Sequence, residues 1–206
     1  MINLDEPIIM GILNLTPDSF FDGGKYTSEG DILSQTAKMI DEGAKIIDLG
    51  AFSSRPGAEE VVVQEELNRL IPVLNTLTKE FEDACEFSID TYRSKVANEA
   101  LLTGATIIND ISGGQLDENM FQVVAEHQAS YVLMHMQGTP QNMQDNPTYT
   151  NVIEDIYSFF EEQLIKLKTL GCDSIILDPG FGFGKTLEHN YDCLLYTSPS
   201  PRDRSL

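Results

Sequence analysis

Thr106-Ile107-Ile108-Asn109-Asp110 decides the fold. Three apolar or β-branched residues, with no polar alternation among them, end abruptly in a polar pair. A strand covered on both faces reads in this way, and such strands belong to parallel sheets. The same figure recurs along the chain at Ile8–Leu13, Ile46–Leu49, Phe87–Ile89, Tyr131–Met134 and Ile175–Leu177. Longer amphipathic stretches separate these runs. In Asn151–Leu170 the residues Val152, Ile153, Ile156, Phe159, Phe160, Leu164, Leu167 and Leu170 form one stripe, and Gly171 follows where a helix C-cap belongs. Ser28 with Asp31 resembles a capping box ahead of a helix reaching Gly43. Glu65–Phe81, Arg93–Thr103 and Asp117–His127 supply three more helices.

The order is a β–α unit repeated about six times, which selects an α/β fold with helices outside a parallel sheet. A doubly wound sheet and a TIM-type (β/α)8 barrel both satisfy it. The strand ends favour the barrel. Asn14, Gly50, Asp90, Asn109-Asp110, His135 and Asp178 close the six runs. A barrel gathers every strand C-terminus at one mouth, whereas an open sheet brings to a ligand only the strands near its switch point. At 206 residues the chain is short for a closed barrel of about 250. The expectation is an incomplete barrel over residues 1–192. Residues 193–206, rich in Pro, Ser and Arg and without helical period, read as a disordered tail of foreign, linker-like character.

Composition is that of a globular protein, 41% hydrophobic and 22% charged. A formal net charge of −20 makes nucleic acid and anionic membrane surfaces poor partners. No apolar run approaches the ~20 residues of a membrane span, and the N-terminus lacks the basic and apolar regions of a secretion signal. Cys85, Cys172 and Cys193 have neither metal-site nor redox-pair spacing, so they read as packing residues in a reducing, cytoplasmic setting. His135 reads as a hydrogen-bonded structural residue closing its strand, and His127 and His189 as surface residues on helices.

Asp90, Asn109 and Asp178 carry the chemical expectation. A flat heterocycle can present an exocyclic amine beside a ring N–H, much as a guanidinium does, and a carboxylate accepts both. Taken singly, an Asp or Asn after a strand is usually a turn former or helix cap. Their joint placement at one barrel mouth is what points to a ligand.

The motifs resemble those of the dihydropteroate synthase family. Met10-Gly11-Ile12-Leu13-Asn14-Leu15-Thr16-Pro17-Asp18-Ser19-Phe20 is similar to the family's first signature, and Asp48-Leu49-Gly50-Ala51-Phe52-Ser53-Ser54-Arg55-Pro56-Gly57 to its second. Further similar stretches are Ser88–Thr91, Ile107–Ser112, Leu133–Gly138 and Leu177–Lys185, in family order. The resemblance implies a transferase joining a pterin diphosphate to 4-aminobenzoate in folate biosynthesis. It implies pterin contacts from Asp90, Asn109, Ile111, Met134, Asp178, Phe183 and, less specifically, Lys185. Thr16, Asp18, Ser19 and Phe20 of a first loop, with Ser54 and Arg55 of a second, would enclose the aminobenzoate. Asn14 would ligate a Mg2+ that also holds the diphosphate, and Asp90, Asn14 and Arg55 form the expected catalytic set. At full length a homodimer is implied. Phe52 and Ser54 stand where the family usually carries Glu and Thr. The family's phosphate-binding Arg and His, and a further pterin-contacting Lys, fall after strands this chain does not reach, so the isolated chain is expected to be inactive and to fold poorly. Two other readings are a pterin-binding module without transfer activity and a corrinoid-linked methyltransferase domain. The TPDSF and SRPG stretches disfavour the latter.

Overall fold

The computed structural model describes residues 6–15, 29–52 and 61–197. Six strands alternate with six helices: β1 (Ile9–Asn14), α1 (Glu29–Asp41), β2 (Ala44–Gly50), α2 (Val63–Phe81), β3 (Glu86–Asp90), α3 (Ser94–Thr103), β4 (Ile107–Asp110), α4 (Met120–His127), β5 (Ser130–Met134), α5 (Val152–Thr169), β6 (Ile175–Asp178) and α6 (Leu187–Thr197). The strands form one parallel sheet in the order β1-β2-β3-β4-β5-β6. A doubly wound sheet reverses its order at a switch point. This one never reverses, as barrel topology requires. Among the described residues β1 and β6 do not pair, so the barrel is open along that seam.

Two apolar layers hold the sheet. Ile47, Leu49, Phe87, Ile89, Ile108, Tyr131 and Leu133 point outward and pack on the helices, including Leu70, Leu74 and Leu77 of α2 and Val96, Ala97 and Ala100 of α3. Period-2 alternation puts the intervening strand residues on the inner face. There Ile46, Ile107 and Val132, with Ile8, Met10 and Ile176, make the barrel interior. Asn151 caps α5 by accepting from Ile153 N–H at 3.1 Å and Glu154 N–H at 3.4 Å.

The C-terminal region differs from the sequence expectation. α6 continues to Thr197, five residues past the point where helical period fades. Cys193 is its one buried residue and packs with Val152 and Ile156 of α5. A helix anchored by a single small apolar side chain carries too weak a stripe to be read. Residues 198–206 of the expected tail lie outside the described residues. His127 and His189 lie on α4 and α6 as expected, half-buried and each hydrogen-bonded. His127 Nε2 bonds Asn98 Oδ1 across to α3 at 3.0 Å. His189 and Thr186 cap α6 reciprocally, each side chain bonding the other's backbone N–H at 3.2 Å.

Candidate active site

Strand register decides which side chains meet. Asn14 pairs with Gly50, Gly50 with Asp90, and Asp90 with Asn109. Asn109 pairs with Val132, and Val132 with Ile176. All of these face the interior, and so does Asp178, two residues beyond Ile176. The carboxamide of Asn14, the carboxylates of Asp90 and Asp178 and the amide of Asn109 therefore share one mouth. Gly50 leaves the room between two of them: a methyl built there would lie 3.1 Å from Asn14 Oδ1 and 3.4 Å from Asp90 Oδ2.

An apolar wall stands beside this polar floor. Phe52, Ile111, Met134, Met136 and Met143 form a buried cluster, with Tyr92 and Phe183 packed on it. Phe52 meets the Tyr92 ring edge-on, centroids 5.2 Å apart. The three apolar residues expected to line the slot, Ile111, Met134 and Phe183, are brought together here. Phe52, in the place of an expected carboxylate, adds to the wall instead of the floor. A flat heterocycle fits such a site, with its faces on apolar side chains and its polar edge on the strand ends.

The floor is acidic and short of donors. Burial pushes the Asp90 carboxyl well above the ordinary carboxylate range, and the charges of Asp48, Glu66 and Asp110 push it further. Asp48 is raised chiefly by burial, with Asn109 and Ser88 pulling the other way. Asp48 Oδ1, Ser88 Oγ and Asp90 Oδ1 are buried without a hydrogen bond of ordinary geometry, although the Ser88 hydroxyl lies near enough to Asp48 to lower its pKa. Buried polar atoms in native proteins are nearly always bonded, so such a cluster calls for a ligand or water bringing N–H or O–H groups. Asp178 contributes differently. Its Oδ1 accepts from Gly180 N–H at 2.8 Å, which fixes the turn after β6.

The contacts of Lys185 are with the protein itself. Its ammonium is buried and donates to the carbonyls of His135 (3.3 Å), Gly180 (3.0 Å) and Phe183 (3.1 Å) and to His135 Nδ1 (3.1 Å). It pins the loop carrying Phe183 to the end of β5. Desolvation lowers it to about 8. Burial, assisted by Lys185, lowers His135 to about 4, so the imidazole is neutral and accepts, consistent with a structural role.

Three further features were not evident from sequence. Asp48, inside β2, shares the interior face and accepts from Asn109 Nδ2 at 3.0 Å. Its spacing of two from Gly50 was the available signal. Glu66 of α2 is buried, pairs with Arg93 and accepts from Thr91 Oγ1 at 2.7 Å, bracing the turn after Asp90. Asp110 faces outward and is saturated by Tyr131 Oη, Ser112 N–H, Ser112 Oγ and Gly114 N–H. Thr16, Asp18, Ser19, Phe20, Ser54 and Arg55 lie outside the described residues. A cavity of about 470 Å3 opens at the opposite end of the strands, where the polar groups already pair with each other, Thr106 with Glu86 and Ser130 with Ser174.

The family model of pterin binding enzymes matches residues 10–196. The dihydropteroate synthase of Escherichia coli (strain K12) is 44% identical over 195 residues, which cover 94% of this chain and 68% of that protein. The chain belongs to the dihydropteroate synthase family. A crystal structure of the Yersinia pestis dihydropteroate synthase with a sulfonamide drug superposes with a TM-score of 0.87 at 41% identity, covering 95% of this chain and 71% of that one. The Xanthomonas albilineans enzyme with 4-aminobenzoic acid gives 0.84 at 37% identity, covering 94% and 68%. The folate synthesis bifunctional protein of Arabidopsis thaliana is 45% identical over 192 residues, 91% of this chain and 40% of that longer protein. Family membership accounts for the strand order, and among the described residues the barrel is not closed. Among the described residues no helix is long and apolar enough to cross a membrane.

Proposed function

We propose that the chain is a dihydropteroate synthase, a transferase that condenses 6-hydroxymethyl-7,8-dihydropterin diphosphate with 4-aminobenzoate to give 7,8-dihydropteroate and diphosphate in folate biosynthesis. One observation carries the reading: the unpartnered buried Oδ1 of Asp90, beside Asn109 and under a wall of Ile111, Met134 and Phe183, matches a flat ring with an N–H edge. The relatives reported above support it.

In the reaction the bond from the pterin methylene to the diphosphate oxygen breaks, and the leaving diphosphate takes the electron pair. The aromatic amine attacks the electron-deficient carbon and loses a proton. The chain's part is placement and electrostatics. Asp90, Asn109 and Asp178 hold the ring edge, and the Asp90 carboxylate, once ionised, stabilises positive charge on the pterin. The loops bearing Thr16, Asp18, Ser19 and Phe20 and bearing Ser54 and Arg55 are assigned to the aminobenzoate and the anion. Mg2+ fits as a water-rich ion carried largely by the diphosphate, since such sites need only one or two protein oxygens. Asn14 Oδ1, exposed at the mouth, is suited to supply one, and the ion would neutralise the leaving group. The free thiols of Cys85, Cys172 and Cys193 favour cytoplasmic residence, and a homodimer is the expected assembly.

The test is titration with 6-hydroxymethylpterin, followed by its fluorescence, alongside an assay of 7,8-dihydropteroate formation. Saturable pterin binding lost in Asp90→Ala, with product formed, supports the transferase. Binding without product selects a pterin-binding module. No binding refutes the site.

A further inference from the structure

Asp48 lies one layer beneath the residues that face the ligand. It pairs in register with Ser88, while Asp90 and Asn109 pair above them. Only 5% exposed, it sits below the slot floor. Its Oδ2 accepts from Asn109 Nδ2 at 3.0 Å, reaching diagonally past β3 to the next strand but one. Its Oδ1 has no partner.

What this bond controls follows from donor and acceptor chemistry. A carboxamide has donors at one end and an acceptor at the other, whereas an ionised carboxylate only accepts. Turning the Asn109 amide by half a rotation would set Oδ1 against Asp48 Oδ2, two acceptors in contact in a low-dielectric interior. While it is ionised, Asp48 admits one orientation and excludes the other. We propose that Asp48 is a positioning residue that holds the Asn109 carboxamide with Oδ1 toward the slot, so that a ring N–H of the ligand meets an acceptor there. Asp48 itself does not touch the ligand. The ligand part of this inference rests on the pterin reading above; the amide part does not.

The test uses the isosteric Asp48→Asn chain, which can pair with Asn109 in either sense, and Asp48→Ser as a second variant if the first melts early. In the ligand-free chain the side-chain amide resonances of Asn109, assigned by their disappearance in Asn109→Ala, should move in both Asp48 variants. Unmoved resonances overturn the proposal. In 6-hydroxymethylpterin titrations Asp48→Asn should weaken binding about 10-fold, the scale of one misdirected hydrogen bond. If Asp48 acts through Asn109, the double variant Asp48→Asn/Asn109→Ala binds no worse than Asn109→Ala alone. Fully additive losses overturn the proposal. A parent chain that fails to bind pterin defeats the functional reading, and the amide resonances then still decide Asp48.

Discussion

Gly50→Ala isolates the floor of the slot from the fold. Gly50 lies in β2 with ordinary backbone angles, so an added methyl brings no left-handed strain. The methyl would lie 3.1 Å from Asn14 Oδ1, inside the 3.4–4 Å of ordinary contact, and 3.4 Å from Asp90 Oδ2. Asn14 or the strand must yield by a few tenths of an ångström, and the space between the two side chains closes. Overpacking of this kind costs about 1 kcal/mol or more. Replacing a strand glycine returns about 0.5–1 kcal/mol in backbone entropy. The melting temperature should therefore stay within about 4 °C of the parent, from roughly 2–4 °C per kcal/mol at this size. Affinity for 6-hydroxymethylpterin should fall about 10- to 100-fold, because sub-ångström misplacement at a site is costly. Differential scanning calorimetry and fluorescence titration measure the two quantities. An alanine chain with parent affinity would show that the space over Gly50 is not where the ring sits.

Other perturbations test the frame around the site. Leu74→Ala, at a fully buried position between α2 and the sheet, should cost about 2–5 kcal/mol, read as a lower denaturant midpoint at unchanged slope. Glu66→Gln removes a charge partner of Arg93 and should cost about 1–3 kcal/mol, with pterin affinity falling as the turn after Asp90 loosens; a neutral result would deny the pair its bracing role. His135 gives a pH test. The folded chain holds its imidazole near 4, while an unfolded chain takes the proton near 6.5. Its contribution to stability is whole above 6.5 and fades as pH falls toward 4. Urea midpoints across that window should decline less steeply in His135→Gln than in the parent.

The strands were readable because burial on both faces leaves short, unbroken apolar text, and Ile107-Ile108 or Leu133-Met134 admit little else. Each of the six runs lies within two residues of an observed strand, and polar strand ends anticipated the sequential order. Asp90, Asn109 and Asp178 were readable for the same reason. Asp48 was not, because a lone carboxylate inside an apolar run declares its facing only once register is known. Glu66 sits in a helix where a glutamate ordinarily meets water, and its partners, Thr91 and Arg93, are about 25 residues away in the chain. Lys185 read as a ligand-binding cation because sequence cannot show backbone carbonyls closing on an ammonium. Long-range pairing decided each case, and local pattern carries no record of it.

Burial and the neighbouring acids make Asp90 hold its proton to higher pH than an ordinary carboxyl does. When a ring N–H closes on its bare oxygen, the ionised form becomes favoured and whatever proton the carboxyl still carries passes to the buffer. Ligand capture by this chain is then coupled to pH even where the ligand itself does not titrate, with tighter binding as the medium turns alkaline across the shifted range. The heat of binding acquires a contribution from whichever buffer receives that proton.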